Sequence, residues 1–193
     1  MQKMKKILGL LNLILFLSLS GSSFAGDKTW VGKTFYLQTN IKAKPLRGEG
    51  YYHAPSTNFI GFKELVPVNS ECVVKSVEEG ESMDLNCKGM DMPLHLEYIK
   101  KHSLVGFEEY LNETIAAKPL DMKQFSKREL ELIKGGDFEL GMSRKALLTS
   151  LGIPPRSLNG NLQTGKNLIY QKMRFNKYRF DFDDKDKLEK VKN

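Results

Sequence analysis

The two cysteines constrain the fold of this chain more than any other feature of its sequence. They end a symmetrical stretch, ECVVKSVEEGESMDLNC, which has Glu79 and Gly80 at its centre. If Glu79 and Gly80 form the turn of a β-hairpin, Cys72 lies directly opposite Cys87. We therefore predict a cross-strand disulfide between Cys72 and Cys87. The alternative is that a cysteine is catalytic or binds a metal ion.

The same register gives the predicted hairpin a buried and an exposed face. It places Val74 opposite Leu85, and it places Lys75 opposite Asp84 on the other face. The first face is apolar and the second is mostly polar, so we expect the first to point into a core. The residues of the apolar face are Cys72, Val74, Met83 and Leu85.

Residues 1–25 have the composition of a signal peptide. Three lysines precede an apolar run at residues 7–19, and the small residue Ala25 occupies the expected cleavage position. The run is shorter than the ~20 apolar residues of a membrane-spanning helix, so an uncleaved anchor is the less favoured alternative. No cysteine lies near residue 25, so no lipid anchor is expected. We expect an exported, periplasmic protein that is soluble after cleavage.

The charge of the chain argues against a nucleic-acid partner. Thirty Lys and Arg residues exceed 23 Asp and Glu residues, which gives a net charge of +7. Removing the leader takes away three lysines and no acids, so the mature chain carries 27 − 23 = +4. A protein that binds duplex nucleic acid needs a denser basic face.

Residues 26–104 are predicted to form a small β domain, because their apolar stretches are rich in aromatic and β-branched residues. A first strand, a long loop, an apolar-Pro-apolar segment, a hairpin and a short last strand follow one another. This order resembles bacterial SH3-like domains. The resemblance implies a groove for a peptide or cell-wall ligand, and the alternative is that the aromatic side chains cap the barrel. The candidate groove residues are Tyr36, Tyr51, Tyr52 and His53.

Helices are predicted between this domain and a C-terminal group of strands. An apolar period of three to four residues predicts an amphipathic connecting helix within residues 105–120. Ser126 and Glu129 predict a capping box at the start of a second helix. Ser143 and Gly152 predict the N-cap and the left-handed stop of a third. Three strand-like stretches follow.

The C-terminal part, residues 121–193, resembles the SmpA/OmlA (BamE-like) family. The resemblance rests on IKGGDFELGMSRKALLTSLGIPP, NLIYQKM and YRFDFDDKDKLEKV, in which Gly141, Met142 and Ser143 match the family's helix start. It implies two helices packed on an antiparallel sheet, and a role linked to outer-membrane or envelope assembly. The expected fold class is therefore α+β, a small SH3-like β-barrel followed by a two-helix, three-stranded antiparallel sheet (BamE-like) domain.

A basic hairpin edged by aromatic residues is a second candidate site. Four cations bracket the expected turn near residue 175, and aromatic residues lie between them. Such a hairpin could receive an acidic protein partner or anionic lipid head groups. The alternative is a solvated sheet face. The candidate partner-binding residues are Lys172, Arg174, Lys177, Tyr178 and Arg179.

No motif predicts catalysis, a cofactor or a metal site. Residues 160–167 have Asn167 at the position where a phosphate-binding loop has Ser or Thr, and the Asp-rich turn at residues 181–186 lacks the glutamate of a calcium loop. The three histidines share no metal-ligand spacing. We therefore expect a non-enzymatic exported module that binds an envelope protein. The alternative is a cell-wall or glycan-binding protein that uses the SH3-like domain.

Overall fold

The computed structural model describes residues 30–193, and strands make up most of its regular structure. The predicted signal peptide lies outside the described residues. The strands are β1 (Thr34–Leu37), β2 (Ile41–Leu46), β3 (Tyr51–Pro55), β4 (Glu64–Val66), β5 (Glu71–Glu78), β6 (Ser82–Cys87), β7 (Leu94–Glu97), β8 (Ile115–Ala116), β9 (Asn167–Gln171), β10 (Lys177–Phe182) and β11 (Leu188–Lys192). The helices are α1 (Lys100–Ser103), α2 (Phe107–Thr114), α3 (Lys127–Gly135) and α4 (Arg144–Leu151).

The first eight strands form one curled, mixed sheet that resembles half of a barrel. Its order is β4-β2-β3-β7-β6-β5-β1-β8. Strands β3 and β7 run parallel, with Tyr52 beside Leu94, and the other neighbours in this sheet are antiparallel. One face of the sheet buries a core of apolar side chains that includes Leu111 of α2.

The predicted fold class is wrong, because these strands do not form an SH3-like barrel followed by a BamE-like domain. Strand β7 lies parallel to β3, which is not a pairing of consecutive strands. The chain after α2 returns as β8 and pairs with β1 at Leu37 and Ile115. Together these pairings make an open sheet of eight strands that extends into the segment predicted to be only a connecting helix.

The predicted disulfide hairpin is confirmed. Cys72 and Cys87 are bonded and lie opposite each other on β5 and β6. The predicted pairing of Lys75 with Asp84 is wrong, because Ser76 occupies that position. A shift between Val74 and Ser76 inserts one extra residue on β5. The predicted apolar face nevertheless stays buried, since the extra residue on β5 comes after Cys72 and Val74, and β6, which carries Met83 and Leu85, has no extra residue.

The second part of the described chain packs α3 and α4 with the antiparallel sheet β11-β10-β9 around a second core. Both predicted helix starts are confirmed. Ser126 and Glu129 form the capping box of α3, and the Ser143 hydroxyl accepts a hydrogen bond from the backbone N–H of Ala146 in α4. Gly136 ends α3 with a φ of 66°, which glycine adopts without a steric penalty.

The loop after β3 joins the two parts and positions the groove described below. The side-chain amide of Asn58 donates to the backbone oxygens of Leu151 and Ile153, which end and follow α4. Phe59 then forms a parallel bridge with Gln171 at the end of β9. The loop therefore adds to the edge of the second sheet. Among residues 30–193, no helix has the length and apolar character needed to cross a membrane.

Candidate functional site

A groove of about 670 Å³ lies where the curled sheet meets the turn between β9 and β10. Its walls come from β3, the loop after β3, the segment from β7 to α1, and the β9–β10 turn. A volume of this size is within the range of ligand pockets, roughly 300–1,000 Å³. The apolar lining residues are Pro55, Phe59, Phe62, Ile99 and Met173, and the polar ones are His53, Thr57, Glu97, Lys101, His102, Gln171 and Arg174.

The backbone of the loop at residues 59–61 holds one wall of the groove against the second sheet. The Ile60 N–H donates to the oxygen of Gln171 at 3.0 Å, and the Gly61 N–H donates to the oxygen of Lys172 at 2.9 Å. Glycine is required for this approach, because a Cβ at residue 61 would lie 2.4 Å from the Lys172 oxygen. The rings of Phe59 and Phe62 lie next to each other in this loop, with centroids 5.3 Å apart.

The described residues that line the groove include two basic side chains, Lys101 and Arg174, and one acidic side chain, Glu97. The Glu97 carboxylate lies 2.9 Å from Nε2 of His53. Within residues 30–193, the structure shows no acidic partner for Lys101 or Arg174. His102 contacts the Thr57 hydroxyl, and burial together with the Lys101 charge lowers the pKa of its imidazole.

Two histidine-carboxylate pairs follow one another on the sheet face opposite the core. Next to the His53–Glu97 pair, Nδ1 of His95 lies 2.7 Å from Asp84, which also accepts a 2.8 Å hydrogen bond from the Ser76 hydroxyl. Ser76 therefore bonds to the carboxylate and not to the imidazole, which is unlike the hydroxyl–imidazole contact of an activated serine. In the described part of the chain, no group of three or more His, Cys, Asp or Glu side chains is placed to hold a metal ion.

The structure separates the four predicted groove residues of the β domain. His53 lines the groove, but Tyr36 lies on β1, four places from β3 in the sheet. The hydroxyl of Tyr52 donates to Asp91 at 2.8 Å, and its ring packs against the first core. The ring of Tyr51 packs on the His95 ring, with centroids 4.7 Å apart. Neighbouring residues of β3 point to opposite sides, which explains why Tyr51 and Tyr52 do not act together.

The predicted partner-binding residues of the basic hairpin also lie in different surroundings. Arg174 lines the groove beside Met173. Lys172 lies 5.2 Å from the centre of the Tyr178 ring, and Arg179 on β10 forms an ion pair with Asp181. The remaining predicted cation is the exposed Lys177 at the start of β10. The structure thus brings two residues of the separate sequence predictions, His53 and Arg174, into one groove.

Several lining residues were missed by the sequence analysis. Phe59, Phe62 and Met173 form much of the apolar wall, and Gln171 and His102 are polar neighbours of that wall. The pair of phenylalanines around Ile60 and Gly61, in NFIGF, is the local signal that could have drawn attention to the loop. Nothing in that stretch indicates that it would pack on a strand more than a hundred residues later.

Comparisons with known proteins give no relative for this chain. No family model matches it, no curated protein matches its sequence, and no solved structure matches its fold.

Proposed function

We propose that this chain is a non-enzymatic binding protein of the cell envelope that holds an extended segment of a partner protein in the groove. The groove itself carries the proposal. Its walls come from both parts of the chain, its lining includes five apolar residues, and its free charges lie beside them. Ligand pockets combine apolar surface with a few polar groups in this way.

An envelope location is supported by the disulfide, because such bonds persist in oxidising compartments. The leader-like composition of residues 1–25 supports it as well. Membership of the SmpA/OmlA family stays a prediction, and the proposal does not depend on it.

The groove favours a protein partner over the glycan-binding alternative. Glycan binding would use exposed ring faces of the β domain, and the rings of Tyr51 and Tyr52 are both engaged within the chain. The groove instead offers the side chains of Phe62 and Met173, which suit aliphatic or aromatic side chains of a peptide.

Site-specific photocrosslinking in intact cells tests the proposal. A benzophenone amino acid at Phe62 should give a discrete adduct with another envelope protein. The same amino acid at Leu140, which is exposed and does not line the groove, should not. The adduct at residue 62 should disappear when Met173→Asp places a charge in the apolar wall. Equal adducts from both positions, or none from residue 62, would show that the groove is not the binding site.

A further inference from the structure

We infer that the segment held in the groove is an acidic peptide. This inference rests on the proposed function and specifies the ligand. An apolar side chain of the peptide lies among Phe59, Phe62 and Met173. A neighbouring carboxylate reaches Arg174 and Lys101.

The charge of the groove indicates an anionic ligand. Lys101 and Arg174 both line it, and they outnumber the acid among the described lining residues, Glu97, which is hydrogen-bonded to His53. The hairpin beside the groove adds to the positive field, because residues 172–180 contain no acidic side chain. Electrostatic complementarity therefore favours an anionic ligand.

A buried hydrogen-bond acceptor beside the groove indicates a ligand that donates N–H groups. Gln171 lines the groove, and its side-chain oxygen is buried without a hydrogen-bond partner in the described chain. This oxygen is buried in the free protein, so the Gln171 side chain must turn into the groove to reach a ligand. Because an unsatisfied buried acceptor is costly, accepting an N–H from a ligand in this way gains affinity. The backbone amides of a peptide supply such donors. The acyl chains of a lipid, which would fill the apolar wall beside Gln171, bring none, and this favours a peptide over a lipid.

The same charges argue against a second copy of this chain as the occupant. Phe175 at the hairpin tip is 85% exposed and is an obvious apolar group to enter a groove. It lies between Arg174 and Lys177, however, so its entry would bring like charges together at Lys101 and Arg174.

Three peptide pools provide the test with the purified protein. Each pool contains ten-residue fluorescent peptides with Leu, Ile, Phe and Met randomised at alternate positions, and the other positions are all Glu, all Gln or all Lys. Binding is measured by fluorescence anisotropy. We expect the Glu pool to bind about tenfold more tightly than the Gln pool, and the Lys pool to bind most weakly.

A charge reversal makes the test specific to Arg174. Arg174→Glu should weaken binding of the Glu pool about tenfold and strengthen binding of the Lys pool. Lys190→Glu is the matched control, because Lys190 is exposed on β11 and does not line the groove. It should change both affinities less than twofold. Arg174 is exposed, so its replacement should leave the thermal midpoint unchanged.

The other outcomes separate the inference from the proposed function. Equal binding of the Glu and Gln pools, with both lost on Met173→Asp, would overturn the acidic ligand and keep the groove as a peptide site. Binding of no pool would overturn both. Binding to phosphatidylglycerol vesicles that depends on Arg174, without binding of the Glu pool, would identify a lipid ligand and also overturn the inference.

Discussion

The side-chain nitrogen of Asn40 lies 2.5 Å from the backbone oxygen of Ile133. This hydrogen bond joins the segment between β1 and β2 to helix α3. The same amide donates to the oxygen of Ser150 in α4 at 3.0 Å, and its oxygen accepts from the Val68 N–H at 2.7 Å. Asn40 is only 1% exposed. One buried side chain therefore connects the two parts of the molecule: two of its hydrogen bonds reach α3 and α4, and the third reaches the loop between β4 and β5.

Replacing this side chain should destabilise the whole chain. Asn40→Ala removes one buried donor group and one acceptor and leaves the backbone groups of Ile133, Ser150 and Val68 without those partners. Because each unsatisfied buried group costs about 1–3 kcal/mol, we expect the free energy of unfolding to fall by about 2–4 kcal/mol. Urea unfolding at pH 7 measures this. Asn86→Ala, at an exposed position of β6, should stay within about 0.5 kcal/mol of wild type. A loss below about 1 kcal/mol for Asn40→Ala would mean that the junction does not depend on these bonds.

Glu129 should make the stability depend on pH. Burial raises the pKa of this carboxyl, but hydrogen bonds from Ser143 and Ser126 outweigh burial and lower the pKa to about 2. The carboxylate thereby joins the starts of both α3 and α4. Because the folded pKa lies below the ordinary value of 4.5 for a glutamate, this stabilisation is complete above pH 4.5 and is lost as the pH falls towards 2.

The variant Glu129→Gln measures that contribution. At pH 7 it should be less stable than wild type by up to about 3 kcal/mol, and the difference should shrink steadily between pH 5 and pH 2. Urea unfolding of both proteins across this range gives the curve. Glu131→Gln, on the exposed side of the same helix, is the control and should show a much smaller difference. A difference that is independent of pH would contradict the assignment.

The features that the sequence predicted correctly depend on residues close together in the chain. Ser126 and Glu129 of the capping box are three positions apart, and the bonded Cys72 and Cys87 are fifteen positions apart. Capping preferences and hairpin symmetry act over such distances, so local pattern is sufficient to find them. The bulge after Val74 was missed because nothing in the alternation marks an extra residue.

The fold class and most of the groove depend on contacts between distant residues. Alternation shows that β7 is a strand, but it does not select the partner or the direction of that strand. The stretch that forms β3 was predicted to lie in the long loop after the first strand, and that prediction is wrong. The pairing of Tyr52 with Leu94 was therefore not predictable in this way. The groove depends on a further contact of the same kind, between Phe59 and Gln171. His53 and Arg174 were chosen for their chemistry, and their common location became visible only in the assembled structure.

The disulfide should contribute measurably to stability. A bond that closes a fifteen-residue loop is worth about 3 kcal/mol through the entropy of the unfolded chain. We expect the double variant Cys72→Ala and Cys87→Ala to lose about that amount in urea unfolding. Wild type unfolded in the presence of dithiothreitol should lose a similar amount, and the double variant should not respond to the reductant. An unchanged midpoint of reduced wild type would contradict this role.

The contact between Gly61 and Lys172 should control both stability and ligand binding. A methyl group at residue 61 would lie 2.4 Å from the Lys172 oxygen and 3.0 Å from Sδ of Met173, so the loop must move away from β9. Gly61→Ala should therefore cost about 1–3 kcal/mol in unfolding, since overpacked sites typically lose this much. It should also weaken binding of the acidic peptide pool, because Phe59 and Phe62 move with the loop. Gly48→Ala is the control, since a methyl group there meets no atom within 4 Å.

Two outcomes would contradict this prediction. If both alanine variants keep wild-type stability and affinity, the backbone hydrogen bonds at residues 60 and 61 do not fix the loop against the second sheet. If Gly61→Ala loses stability but keeps its affinity for the peptides, the wall formed by Phe59 and Phe62 does not contribute to binding, and the ligand contacts the hairpin side of the groove.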